Sequence, residues 1–377
     1  MNFLRRVRRI NEDSYWAPLE RRDPLHRMSK AGSLRGLAGL PSTGAVWVKP
    51  YGLAAREESS DPARAEDGRW DVGGDVKYGL TPGLTLDVTV NTDFSQVEVD
   101  QERVNLTRFP LFFPEQRDFF VENSGSFTFG DQTERNYRMG ASLRDFTLFH
   151  SRAIGLQEGR PVPILAGGRV SGSMGPWEVG LLDMRTDALG GLPGENFAVA
   201  RVRREVADGS DVGAIFIDRS AVGGTGALDN RSYGVDANLS LWGPLRVNAY
   251  WAASESPDAD GDQTAARLGA AYRDRNWNVS ALWRRIGDDF DPGVGFVRRT
   301  DVEHLYGTVG ILRQTPLPGV QEVEPYLEAE RFTDLDGTLV TRRLEGGLNV
   351  TFLSGATLRA TVADRFEEVR DEFPAGG

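Results

Sequence analysis

The sequence predicts an all-β fold, an antiparallel up-and-down meander of the kind that curls into an outer-membrane β-barrel. Three observations carry that expectation. From Ile164 to Asp364, apolar and polar residues alternate along successive strand-like runs, a period that puts each set on one side of a sheet. The runs reach the length of about nine to eleven residues that a tilted membrane strand needs, where strands of soluble proteins average about five or six. The connections also alternate, tight at one end and loose at the other, as they do in membrane barrels.

In chain order, residues 1–43 read as an irregular lead-in and 44–377 as the barrel domain. Met1 to Ile10 (MNFLRRVRRI) carries charge but no apolar core. It is therefore not an export signal, and the precursor is expected to have one upstream. The Arg5 to Arg9 cluster lies beside acidic residues and reads as solvated surface. Ala45 to Leu53 and Trp70 to Leu80 are strand-like, Thr81-Pro82-Gly83 is a turn, and Leu84, Leu86, Val88 and Val90 alternate with polar residues.

Residues 164–364 form the regular hairpin meander. Tyr233, Val235, Ala237, Leu239 and Leu241 make one face wholly apolar, and Leu245, Val247, Ala249, Trp251 and Ala253 repeat the pattern. The intervening residues are small or polar, and a lumen on that side would be lined by Arg246, Asn248, Arg267 and Arg284. Trp242, Trp251, Trp277 and Trp283 suit an interfacial girdle, although a sandwich core would also use them. The turns at Gly243-Pro244 and Arg275 are expected to face the periplasm, and the loops Ala221 to Asn230 and Gly287 to Asp301 the exterior. After Ser354-Gly355 the rhythm leaves one strand and an unfinished loop. The expected barrel is thus incomplete, cut at its C-terminal side, with an open edge exposed to aggregation.

Composition points the same way. The charge of −11 and the absence of any Lys/Arg tract argue against a nucleic-acid partner. There is no cysteine, which removes disulfide scaffolds, thiolate metal sites and Cys nucleophiles. No stretch approaches the roughly eighteen apolar residues of a membrane helix, but a barrel with a polar lumen can span a bilayer with such a composition. His26, His150 and His304 lack metal-ligand spacing, so neither a metal site nor a cofactor is expected. Asp258 to Asp262 and Asp334 to Gly337 have the flavour of calcium loops without the full ligand pattern, and hairpin tips favour Asp and Gly for turn geometry alone.

The densest chemistry lies in residues 91–123, NTDFSQVEVDQERVNLTRFPLFFPEQRDFFVEN. Gln96, Glu98 and Asp100 share one strand face, with Val97 and Val99 on the other. Aromatic residues threaded with charges follow, including Arg103, Glu115, Arg117, Phe119, Phe120 and Glu122. One reading is a lumen constriction, with Asp93, Glu98 and Asp100 facing Arg103 and Arg117. Another is a sugar or cation site, where carboxylates accept hydroxyl hydrogen bonds beside Phe platforms. A third is a plug-like segment near residues 100–145, folded into the barrel and filled by ion pairs and packed rings. No catalytic residue is assigned. A carboxylate-dependent hydrolase using Glu98, Asp100 or Glu115 is the enzymatic alternative.

This ordered run resembles the domain of unknown function 5916 family, bacterial outer-membrane barrels that commonly follow a family-nine-type carbohydrate-binding domain. The matching elements are Gly74 to Leu80, Leu84 to Asp87, Asn91 to Glu98, Asn105-Leu106 and Phe112 to Glu122. Asn11-Glu12 with Trp16, and Pro50-Tyr51, look like the approach to the barrel. The preceding carbohydrate-binding domain and the closing strands do not occur in this sequence. The resemblance implies location in the bacterial outer membrane, with lipid, the barrel assembly machinery and glycans as partners, and no assigned reaction. Three functions stay open: a channel or surface-binding barrel, a carbohydrate-associated or glycoside hydrolase-linked surface protein, and a soluble β-sandwich of lectin type.

Overall fold

The computed structural model describes residues 3–7, 12–17, 44, 46–57, 67–91, 109–130, 146–157, 160–188, 191–223, 229–314 and 317–368. Fifteen strands join in one antiparallel sheet, each beside its neighbours in sequence order. The first three are β1 (Val46–Glu57), β2 (Asp67–Thr81) and β3 (Leu84–Val90). The meander then runs through β4 (Ile164–Met174), β5 (Trp177–Thr186), β6 (Glu195–Ala207) and β7 (Ser210–Ala221). It continues with β8 (Asn230–Leu241), β9 (Leu245–Glu255), β10 (Thr264–Arg273) and β11 (Trp277–Ile286). The last four are β12 (Val302–Ile311), β13 (Val320–Thr333), β14 (Leu339–Phe352) and β15 (Thr357–Glu367). β3 pairs directly with β4, although more than seventy residues of sequence separate them. Among the described residues the sheet is not closed: β1 pairs only with β2, and β15 only with β14.

Tight turns and longer connections fall at opposite ends. Gly175-Pro176, Asp208-Gly209, Trp242 to Pro244 and Asp274 to Asn276 join their strands at one end. Trp242 and Gly243 both take positive φ, which lets that turn reverse in so few residues. At the other end the links are 187–194, 222–229, 256–263 and 287–301. The lead-in, expected to be irregular, contains a short ladder in which Leu4–Val7 pairs with Glu12–Tyr15.

Side-chain polarity is inverted relative to a water-soluble protein. On β8, Ser232 and Asp236 are buried while Val235 between them is 54% exposed. The same holds on other strands. Leu268, Leu305, Leu327 and Leu344 are exposed, whereas Arg267, His304, Glu328 and Glu345 are buried. A sandwich would hide its apolar faces between two sheets, and here a single sheet turns them outward. Arg267, Arg284 and Asn248 lie on the buried face, as expected for lumen-lining positions.

The inner face is filled at the end of the longer connections. Segments 109–130, 146–157 and 160–162 fold back as a plug carrying one helical turn, α1 (Asp118–Val121). Phe119, Phe120, Phe127 and Leu148 join one buried cluster with Leu182, Phe197, Ile217, Ile286 and Phe332 from β5, β6, β7, β11 and β13. Contacts that reach so many strands require the sheet to curl around the plug. Two strand glycines admit it: a Cβ at Gly234 would lie 2.6 Å from the Phe129 ring, and one at Gly180 only 2.9 Å from the Ser126 carbonyl. The 287–301 connection also folds in, pairing Phe296–Val297 with Phe146–Thr147.

Candidate functional site

A passage runs between the plug and the β1–β4 wall. Alternation along these strands puts Trp47 and Lys49 of β1, Asp75 and Lys77 of β2, Asp87 of β3 and Arg169 of β4 on the inner face. Opposite them α1 presents Asp118, Phe119 and Glu122. Between the two lies a cavity of about 750 Å³. Arg169 is buried and clamps Asp87, with Nη2 at 2.8 Å and Nε at 3.2 Å from Oδ2. Its other terminal nitrogen donates to the Glu122 carbonyl at 2.5 Å, and the guanidinium lies 5.0 Å from the Phe119 ring centre. Lys77 bridges Asp87 at 3.5 Å and pairs with the Glu122 carboxylate. Lys49 reaches Asp118 at 2.9 Å. Thr89 donates to Asp75 at 2.7 Å. The wall thus holds the plug by charge, and both signs line one passage.

Inside the plug, Arg117 is the anchor. Its Nε and Nη2 donate to the two Glu115 carboxylate oxygens at 2.8 and 2.7 Å. Nη1 donates to the Ile154 carbonyl at 2.8 Å and Nη2 also to the Ser151 carbonyl at 2.7 Å. The Ser151 hydroxyl completes the network on Glu115 at 2.8 Å, and the guanidinium covers the Phe120 ring at 4.3 Å. Burial pushes the Glu115 carboxyl up, but the hydrogen bonds and charge of Arg117, with Ser151, outweigh it and hold the group below its ordinary range. Burial pushes the neighbouring His150 down, against the Phe113 carbonyl that accepts from its Nε2 at 3.0 Å. A second tie joins plug and wall: Asp236 of β8 holds Arg201 of β6 at 2.6 and 2.8 Å and accepts the Gly130 amide at 3.1 Å.

The sequence-based candidates divide. Asp93, Gln96, Glu98, Asp100 and Arg103 lie outside the described residues. Glu115, Arg117 and Phe120 come together inside the plug, and Phe119 and Glu122 come together on the passage. Arg117, expected to face carboxylates across a lumen, is instead buried against Glu115 from its own segment, because a guanidinium in the packed plug needs an adjacent anion. Sequence reasoning missed Asp87, Lys77 and Arg169. Their signal was a charge inside an otherwise alternating strand, which an inward ion pair explains. Among the described residues no His/Cys/Asp/Glu group has a metal-binding arrangement.

Comparison with known proteins adds the following. Residues 47–140 match the model of a domain of unknown function, DUF5916, the family that the sequence resembles. No curated protein matches the chain in sequence. Among solved structures, a bacterial polysaccharide outer membrane secretin is similar at 7% identity and a TM-score of 0.37, covering 87% of this chain and 93% of that one. A BenF-like porin from Pseudomonas fluorescens Pf-5 is similar at 7% identity and 0.38, covering 87% and 84%. Pseudomonas aeruginosa OpdK with vanillate is similar at 10% and 0.38, covering 88% and 86%. Likenesses this distant transfer neither cargo nor partner.

Proposed function

We propose that the chain is an outer-membrane β-barrel protein whose lumen conducts small polar solutes beside an internal plug. The observation that carries this reading is the inverted polarity of the sheet. Outward Val and Leu with inward Arg, Asp and Glu suit a hydrocarbon exterior and a polar interior, and meander ladders satisfy the backbone within the sheet. Trp177, Trp242 and Trp277 sit beside the tight turns, where an aromatic girdle meets the headgroups. The tight-turn end is then the periplasmic one, and the longer connections face outward. We assign no reaction: Glu115, a candidate acid in the hydrolase alternative, is committed to Arg117 and Ser151. A second reading, a glycan-binding barrel, draws on Trp47 and Phe119, whose rings flank carboxylates in the same passage.

Planar-bilayer recording tests the proposal. Purified protein should give discrete conductance steps, and Lys77→Gln, which removes a cation from the passage, should shift selectivity toward cations. A bilayer-inserted protein that never conducts, yet is retained on a polysaccharide column through Trp47, would favour the glycan reading instead.

A further inference from the structure

The outer face of the sheet is dented near the tight turns. A groove of about 750 Å³ crosses β6 to β9, floored by Ala214, Ala237 and Ala249 and bounded by Trp177 and Trp251. The strand registers put Trp177, Arg204, Val212, Ala237 and Ala249 in one row running from β5 to β9. At about 4.8 Å per strand, the row spans roughly 14 Å from Arg204 to Ala249. Membrane strands tilt, so a row that crosses them slants through the bilayer. Trp177 opens β5 and Arg204 lies close to the Ala207 end of β6, both beside tight turns, whereas Trp251 lies midway along β9. On the membrane reading, the groove therefore starts at headgroup level and runs into the hydrocarbon.

Resting on that reading, we propose that the groove holds one phospholipid of the leaflet on the tight-turn side. Its phosphate sits on Arg204, and one acyl chain lies along Val212, Ala237 and Ala249. Charge selects the phosphate. The Arg204 guanidinium covers the Trp177 ring at 5.0 Å and has no carboxylate partner among the described residues. The acidic residues around it stand at the alternate, inward positions: Glu178 pairs with Arg203, Glu205 lies opposite Asp211, and Asp211 accepts from Asn238 at 3.0 Å. Elsewhere on the outer face guanidiniums are matched, Arg231 by Asp218 at 2.9 Å and Arg342 by Asp364 at 2.8 Å. A guanidinium fork resting on an aromatic face takes a phosphate through two parallel hydrogen bonds. Lipid tails are as apolar as the side chains they meet, so the acyl chain contributes through packing. The alanine floor leaves the space that a flexible tail fills.

The test titrates the purified chain in non-ionic detergent with dimyristoyl phosphatidylglycerol and reads bound lipid by native mass spectrometry. One lipid should be retained more tightly than the rest. Arg204→Glu should weaken that lipid about tenfold or more, and Arg204→Lys, which keeps the charge but not the fork, should fall between. Ala237→Trp, which fills the groove, should abolish retention. Ala281→Trp, at an exposed position of β11 outside the groove, should leave it unchanged. Retention of no lipid, or retention indifferent to both Arg204→Glu and Ala237→Trp, overturns the proposal. So does displacement by inorganic phosphate, which would make Arg204 a site for free anions. Liposome flotation of the same preparation separates the two claims: a chain that floats but retains no lipid refutes the groove site alone.

Discussion

Arg117 shows how a full charge is tolerated in the packed plug. It is 2% exposed, and every nitrogen of its guanidinium finds an oxygen on Glu115, Ser151 or Ile154. Removing it strands the Glu115 carboxylate in the interior, the costly half of a broken buried pair. Arg117→Met should therefore cost about 3–5 kcal/mol of plug stability. Hydrogen exchange should show protection lost over 109–130 while the ladder of 230–311 stays closed; equal loss in both would mean that the plug is not a separate unit. Acid should act on the same segment. Both Glu115 and His150 titrate below their ordinary values of 4.5 and 6.5 in the folded state. A depressed value means the unfolded chain takes up the proton first, so the stability each contributes is complete above its ordinary value and is lost as pH falls through the folded one. Protection of the plug should fade first as His150 charges below 6.5, and again as Glu115 protonates below 4.5. Glu115→Gln should abolish the second step and, by removing a charge that raises His150, deepen the first. A plug that loosens on raising the pH across this range would contradict the assignment.

At the scale of the strand, neighbours such as Val235 and Asp236 have opposite surroundings, 54% and 5% exposed. Val235→Lys should cost about 2–4 kcal/mol of stability in a bilayer, the penalty of an ammonium near the hydrocarbon midplane, read by urea unfolding from liposomes. A change within experimental scatter would mean that this face does not meet lipid. The same alternation made most of the sheet legible in the sequence. The tight turns at Gly175-Pro176, Asp208-Gly209 and Gly243-Pro244 and the apolar faces of β8 and β9 fall where the period of two and the turn residues put them. The plug was legible as composition, not as contacts. Arg117 reaches Ser151 and Ile154, and Asp236 reaches Gly130, across stretches of chain that no local pattern spans. Gly180 and Gly234 carried local traces of the plug, since a glycine inside a strand marks a close approach. Which of Glu115, Arg117, Phe119 and Phe120 faces the passage and which faces the core depends on one helical turn, and alternation does not encode it.

For the molecule as a whole, the sheet has a polar concave face, an apolar convex face, and ends that differ in the length of their connections. The passage along the β1–β4 wall takes Trp47 and Lys49 from the edge strand β1. On the membrane reading, the convex face meets hydrocarbon. Liposome flotation tests it most directly: the reconstituted chain should rise with vesicles through a density gradient and resist extraction at alkaline pH. A chain that remains in the aqueous fraction as a stable monomer without detergent would contradict the account.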